Sequence, residues 1–245
     1  MSTISIIKPA RTRPVVTRLA SGRIPTAHGD FELVYFSNSV DNKEHLAFVK
    51  GDVSAGEDVL VRVHSECFTG DVMGSLRCDC GEQLQRAMAM VAAAGRGVIV
   101  YLRQEGRGIG LKAKLEAYNL QDQGYDTVDA NLMLGHKADE REYSLAAAML
   151  DELGVRSVRL MTNNPLKIGA LQADGVNVRS RVPVEVPVNP DNHAYLLTKV
   201  NRMDHMLALQ PGLMQAANSS VLAAATQAAV QSALPQETHE PELAN

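Results

Sequence analysis

Val98-Ile99-Val100-Tyr101-Leu102 is an unbroken apolar run, entered through Gly95-Arg96-Gly97 and left through Arg103-Gln104-Glu105-Gly106. A strand without polar alternate positions must be covered on both faces, which confines it to the interior of a sheet with helices on each side. The neighbouring sequence supplies those helices. Leu84, Ala87, Met88, Val91 and Ala92 recur at helical spacing and stop at Gly95. A second helix is expected over 111–123, ended by Gly124, and a third over 139–153, ended by Gly154. Pro165 opens a fourth over 165–173, and Asn189 with Pro190 starts a last one over 189–207. Shorter apolar runs at 31–36, 45–51, 58–64, 158–162 and 176–179 read as further strands. The expected fold class is α/β: a mixed sheet flanked by helices, in a single domain with mobile N- and C-terminal tails.

The tails follow from composition. Residues 1–23 carry Lys8, Arg11, Arg13, Arg18 and Arg23 with no acidic residue, and Pro9 and Pro14 break any long helix. A flexible basic leader is expected there, with an organelle-import peptide as the second reading. Ordered structure is expected from Ile24, giving a domain over 24–208. Residues 209–245, rich in Ala and Gln and interrupted by Pro211, Pro235 and Pro241, are expected to form a flexible tail. With 245 residues, 45% of them hydrophobic, the chain is long enough to bury a sizeable core. A net charge of −4 gives no polyanion-binding surface overall, so nucleic acid is not an expected partner. No apolar run reaches the about 18 residues of a membrane span, and no secretory signal is legible.

All three cysteines, Cys67, Cys78 and Cys80, fall in one stretch with the spacing Cys-x10-Cys-x-Cys. An odd, clustered set argues against a disulfide framework and for a reducing compartment, the cytoplasm. Three buried thiols without a metal are the plain alternative. Their clustering favours an ion, and Zn2+ suits three thiolates best. Gly74 and Gly81 permit the backbone to turn them inward. The fourth position is open to two readings: His64 could close it, as in a structural site, or water could hold it, as in catalytic zinc. In the second case the pKa of that water drops to about 7.

Gln104-Glu105-Gly106-Arg107-Gly108-Ile109-Gly110 places three glycines at a strand-to-helix junction, where α/β proteins bind ligands. The glycines let N–H groups approach an anion, and Arg103 and Arg107 offer phosphate a fork, although a plain turn with a surface ion pair would look the same. The segment is neither the dinucleotide fingerprint nor a P-loop. Thr162-Asn163-Asn164-Pro165-Leu166-Lys167 reads equally as helix capping by Asn164 and as an anion site completed by Lys167. Asp139 and Glu142 fit a capping box, which leaves Arg141 unexplained at the positive end of a helix dipole. Tyr118 lies in line with Leu111 and Leu115, the pattern of a core tyrosine.

Together, Arg62-Val63-His64-Ser65-Glu66-Cys67-Phe68-Thr69-Gly70-Asp71, Ser75-Leu76-Arg77-Cys78-Asp79-Cys80-Gly81, Arg103 through Leu111, Leu120-Gln121-Asp122-Gln123-Gly124-Tyr125-Asp126-Thr127 and Thr162-Asn163-Asn164-Pro165 resemble GTP cyclohydrolase II. That family commits GTP to riboflavin synthesis, and the resemblance spans roughly 24–207. It implies a zinc-dependent hydrolase that opens the imidazole ring of GTP at C8. Formate and pyrophosphate leave, and the ring-opened diaminopyrimidinone ribosyl phosphate remains. It further implies Cys67, Cys78 and Cys80 as ligands of one Zn2+ per subunit with water as the fourth ligand, and Mg2+ accompanying the triphosphate. Arg62, Val63, His64, Ser65 and Glu66 match positions that hold GTP, as do Gln83, Glu105, Gly106 and Arg107. Thr127, Thr162 and Lys167 complete that set.

Among the groups the resemblance makes catalytic, Asp139 matches the proton acceptor, Arg141 the nucleophile or phosphate-activating group, and Tyr118 a catalytic tyrosine. A protonated guanidinium is a poor nucleophile, so electrostatic activation by Arg141 stands beside the covalent role. The family's homodimer is carried over, and the short region ahead of the matched segments leads to the expectation of a monofunctional chain. Two alternatives remain. One is a relative with altered output, retaining the formyl group or serving pyrimidine catabolism; Tyr118 argues against formyl retention. The other is a non-catalytic zinc protein closed by His64, for which 4% aromatic residues and no Trp leave few stacking platforms.

Overall fold

The computed structural model describes residues 13–207. Seven strands form one sheet: β1 (Val16–Thr26), β2 (Gly29–Asn38), β3 (His45–Lys50), β4 (Val59–Ser65), β5 (Gly97–Leu102), β6 (Val158–Met161) and β7 (Val178–Val182), in spatial order β1-β2-β3-β5-β4-β6-β7. The first three pair antiparallel, and β3 joins β5 antiparallel. From β5 outward through β4, β6 and β7 the pairing is parallel, so the sheet is mixed as expected.

The apolar run lies at the centre of that sheet, and its two faces meet different partners. Val98, Val100 and Leu102 join Val61, Val63, Met149 and Leu150 in one core cluster. Ile99 points the other way, into a cluster with Leu60, Leu84, Ala87, Met88 and Val91. The first layer comes from α5 (Ser144–Glu152) and the second from α2 (Cys80–Ala94). Both clusters exclude water, which explains why β5 has no polar alternate position. Gly95 ends α2 at φ 68, a left-handed conformation that costs glycine nothing.

Several boundaries differ from the sequence expectation. The sheet begins at Val16, ahead of Ile24, because β1 pairs with β2 along its length although almost all of its side chains are exposed. Cross-strand hydrogen bonds made that segment a strand, and these leave no mark in a polar sequence. The part of the expected leader before residue 13 and the expected tail over 209–245 lie outside the described residues. Strand β7 starts at Val178, since Val176 N donates to Leu171 O in the closing turn of α6 (Pro165–Ala173). Helix α5 starts at Ser144, not Asp139, because Asp139 turns to Arg141 instead of capping.

The last helix, α7, runs His193–Met203, shorter than expected. Asn189 and Asn192 bond to each other's backbone ahead of it, so Asn189 stabilises a preceding turn and not the helix itself. Two further helices, α3 (Gly110–Asp122) and α4 (Thr127–Met133), pack against each other. Helix α4 was not anticipated; the Asp126 carboxylate caps it by accepting from Val128 N and Asp129 N. On α3 the expected apolar stripe points outward, with Leu111 and Leu115 exposed, and Ala113, Lys114 and Ala117 buried. No helix among the described residues is long and apolar enough to cross a membrane.

Candidate active site

The parallel strands β4, β5 and β6 end on the same side, and their carboxyl ends deliver three loops to one place. After β4 the chain enters the one-turn helix α1 (Phe68–Asp71) with Cys67 at its cap. Asp71 folds back beneath that cap and accepts from Cys67 N at 2.9 Å, from His64 Nε2 at 3.0 Å and from the Tyr101 hydroxyl at 2.8 Å. The His64 and Tyr101 rings stack with centroids 5.5 Å apart. His64 is therefore a support of the loop and stands apart from the thiol cluster. Its Nε2 carries the proton, because the carboxylate can only accept.

Among the described residues one group of sulfur ligands converges: Cys67, Cys78 and Cys80 have Sγ atoms within 4.8 Å of one another. Cys67 and Cys78 Sγ lie 3.6 Å apart. A tetrahedral metal with metal–sulfur bonds of about 2.3 Å has sulfur–sulfur edges of about 3.8 Å, so the spacing fits an ion. Gly70 makes room for the group. A Cβ there would lie 3.0 Å from Cys78 Sγ and 3.1 Å from Cys67 Sγ. A Cβ on Gly81 would collide with Gly70 O at 2.1 Å, so glycine serves close approach at that position rather than a turn.

The electrostatics of the thiols also suit a cation. Hydrogen bonds from Cys78 and Cys80, with the Lys114 ammonium behind them, hold the Cys67 thiol far below its ordinary range. Its neighbour then pushes Cys78 up to about 11, and Cys80 rises for the same reason. Three thiols at these distances cannot all ionise unless a cation joins them. The donor set fits a soft divalent metal.

Lys114 is a residue the sequence reading missed. Its Nζ lies 3.0 Å from Cys67 Sγ, 3.0 Å from Thr69 Oγ1 and 2.7 Å from Glu105 Oε1. Glu105 in turn accepts from Gly106 N and, through Oε2, from Phe68 N at 2.5 Å, tying the thiol loop to the glycine turn. Tyr118, one helical turn beyond Lys114, brings its hydroxyl within 3.5 Å of Thr69 Oγ1. It lines the thiol pocket together with Ser65, Glu66, Gly106 and Thr127. The core-tyrosine reading of Tyr118 gives way to a pocket-facing ring, half-buried and with its hydroxyl pushed up by burial.

A second pocket adjoins the first, and Ser65, Cys80, Arg107, Arg141 and Tyr195 line both. Its wall is cationic. Arg62 donates to Met161 O at 3.0 Å and to Gln83 Oε1 at 2.5 Å, and Gln83 passes the chain of bonds on to Asp79. Lys199 pairs with Asp79, and Lys167 Nζ donates to the Val63 carbonyl at 2.7 Å. Asp139 grips Arg141 through both oxygens, and the guanidinium outweighs burial to hold the carboxyl below its usual range. Thr162 Oγ1 accepts from Asn164 N, and the Asn164 side chain caps α6 beneath Pro165 as expected.

Several buried polar atoms in this pocket have no partner among the described residues: Arg62 Nε, Ser65 Oγ, Arg107 Nη1 and His205 Nε2. Arg107 reaches it from a turn where Gly106 and Arg107 both sit at φ 61, held by Arg107 Nη2 on Thr127 Oγ1. The expected partnership of Arg103 with Arg107 is not formed. Arg103 turns outward to Glu66 at 3.0 Å and to Glu44, so it supplies no fork to this pocket. Besides Lys114, the sequence reading passed over Tyr195, Lys199 and His205. The available signal was a Lys and a Tyr four apart on one helical face, which occurs in both α3 and α7.

A family model for GTP cyclohydrolase II matches residues 17–183. Among curated proteins, the riboflavin biosynthesis protein RibBA of Bacillus cereus is 55% identical over 195 residues, 80% of this chain and 49% of that protein. The RibBA of Chlorobium phaeovibrioides is 54% identical over 202 residues, 82% of this chain and 49% of its own. The chain thus spans about half the length of the curated relatives it matches. Among solved structures, RibBX of A. baumannii, a two-domain 3,4-dihydroxy-2-butanone 4-phosphate synthase, aligns at 24% identity with a TM-score of 0.42. That alignment covers 71% of this chain and 41% of the other, a likeness too weak to build on.

Proposed function

The chain belongs to the GTP cyclohydrolase II family, and from that premise we propose that it opens the imidazole ring of GTP at C8, releasing formate and pyrophosphate in the first step of riboflavin biosynthesis. The observation that carries the reading is the shared wall of the two pockets. On one side are three convergent thiols, and on the other a cationic cavity with unpartnered donors. A nucleoside triphosphate lying across Ser65, Cys80, Arg107 and Arg141 would bring its base to the thiols and its phosphates to the cations.

Cys67, Cys78 and Cys80 would hold zinc, which when bound supplies a Lewis acid and a water with a pKa near about 7. Thr69 and Lys114 fix the Tyr118 hydroxyl and the Cys67 sulfur in one frame. In this reading the phenol of Tyr118 would lie beside the ring-opening position with a proton to give. The triphosphate, taken as its Mg2+ complex, would be met by Arg62, Arg107, Arg141 and Lys167, with Gln83, Thr162 and the 62–66 segment shaping the wall. Asp139 orients Arg141 and keeps its guanidinium charged, which suits electrostatic activation of the phosphate; a doubly bonded, protonated guanidinium has no free electron pair for attack. The free thiols suit a reducing compartment such as the cytoplasm, and a homodimer is the assembly this reading carries.

The test is incubation of metal-replete protein with GTP and Mg2+. Formate and pyrophosphate are expected in equal amounts, with a deformylated product by mass, and Cys78→Ser abolishes formate. Neither product, or a product that keeps its formyl group, would overturn the reading.

A further inference from the structure

The cationic pocket continues past the segment that the family model matches. Helix α7 gives it Tyr195 and Lys199, and the turn after α7 gives it His205. Asp204 closes α7 in the left-handed region at φ 52, reversing the chain. His205 N then donates to Lys199 O at 3.0 Å, and Met206 N donates to Asn163 O at 2.8 Å. The second bond fastens the turn to the loop after β6, so the imidazole forms part of the pocket wall beside Thr162 and Lys167.

His205 Nε2 is buried and has no partner among the described residues. Burial comes first, and the nearby Lys199, Arg141 and Lys167 charges add to it, so that the ring is neutral, its pKa down at about 3. A neutral imidazole can place either a lone pair or an N–H at Nε2. A lone pair there would face ammonium and guanidinium donors without accepting from any of them. An N–H would instead be aimed into a cavity whose other groups attract anions, and it lacks only the anion.

Resting on the reading that this pocket takes GTP, we propose that His205 is a phosphate-binding residue: its Nε2–H donates to a phosphate oxygen of the bound triphosphate, and the Asp204 reversal holds it there. The contact belongs to the polyphosphate and not to the guanine. Its effect must therefore follow the phosphate through different ligands.

The full chain is titrated calorimetrically with three probes: a non-hydrolysable GTP analogue with Mg2+, inorganic tripolyphosphate, and guanosine. His205→Ala is expected to weaken the first two by roughly 10- to 100-fold, the range of a hydrogen bond to a charged group, and to leave guanosine unchanged. His205→Asn keeps a side-chain N–H near the same point and should recover much of the loss, and melting curves verify that both variants fold. Unchanged affinity for tripolyphosphate and analogue in His205→Ala, or an equal loss for guanosine, overturns the assignment. So does a parent protein that binds neither anion. If the parent binds tripolyphosphate through His205 but shows no preference for the analogue over it, the GTP reading fails while the role of His205 stands.

Discussion

Lys167 shows how a single side chain reports on the ligand its pocket expects. It is buried, and among the described residues its ammonium meets only the neutral Val63 carbonyl as a hydrogen-bond partner. Burial, followed by the charges of Arg62 and Arg141, drives its pKa well below the ordinary lysine value. A lowered folded-state value means that part of the population is uncharged as pH rises through that value. A bound polyphosphate would reverse the sign of the local field and restore the proton. Binding of a GTP analogue is therefore expected to take up a proton over the pH range in which the free Lys167 side chain is losing it. Calorimetry in buffers of different ionisation enthalpy would read it as a buffer-dependent heat, and Lys167→Met would remove that dependence. A heat independent of buffer in the parent protein would contradict it. At this scale much of the site was legible in the sequence. Cys67, Cys78, Cys80, Arg141 and Lys167 all stood out by residue type and neighbourhood. Lys114 and His205 did not: Lys114 is marked only by Tyr118 one helical turn on, and a histidine after a helix carries no local sign of its partners.

The elements act through their ends. Helix α1 is a single turn that cannot stand on propensity alone, and Asp71 supplies what it lacks by accepting from the Cys67 N–H, His64 and Tyr101. That one carboxylate couples the thiol loop to β4 and β5. Asp71→Asn keeps the shape but turns one acceptor into a donor facing other donors, so it is expected to cost about 1–3 kcal/mol. Urea unfolding with an unchanged slope would measure that loss, and weaker metal retention against a chelator should accompany it. A variant as stable as the parent would show that Asp71 is not the tie. The element ends also separate the good boundary expectations from the poor ones. Gly95 ends its helix as its residue type predicts, and Asn164 takes the capping role that was one of its two readings, because a left-handed glycine and an Asx cap are local chemistry. Asp139 was misread as a cap because its nearest suitable partner was the Arg141 side chain, a competition that residue type does not settle.

Across the whole molecule, the thiol centre and the hydrophobic core are separate structures. Neither core cluster contains a cysteine, and the two are built mainly from strands with α2, α5 and α6. Metal removal is thus expected to loosen the 67–80 segment without unfolding the sheet. Hydrogen exchange after chelation should rise in that segment and stay low in β4 and β5, with far-UV circular dichroism nearly unchanged. Global unfolding on chelation would contradict this separation.

What the sequence determined by itself was local or periodic: a doubly covered central strand, helices closed by glycine, and three thiols close enough in the chain to share an ion. These follow from short-range sterics and from hydrophobic spacing, which need no knowledge of distant partners. Tertiary structure alone decided that His64 supports Asp71 instead of completing the thiol site, and that β1 joins the sheet as an exposed strand. It also turned Arg103 away from the pocket and carried His205 into it. Each of those outcomes depends on which long-range donor meets which acceptor, and only the closed sheet brings the two together.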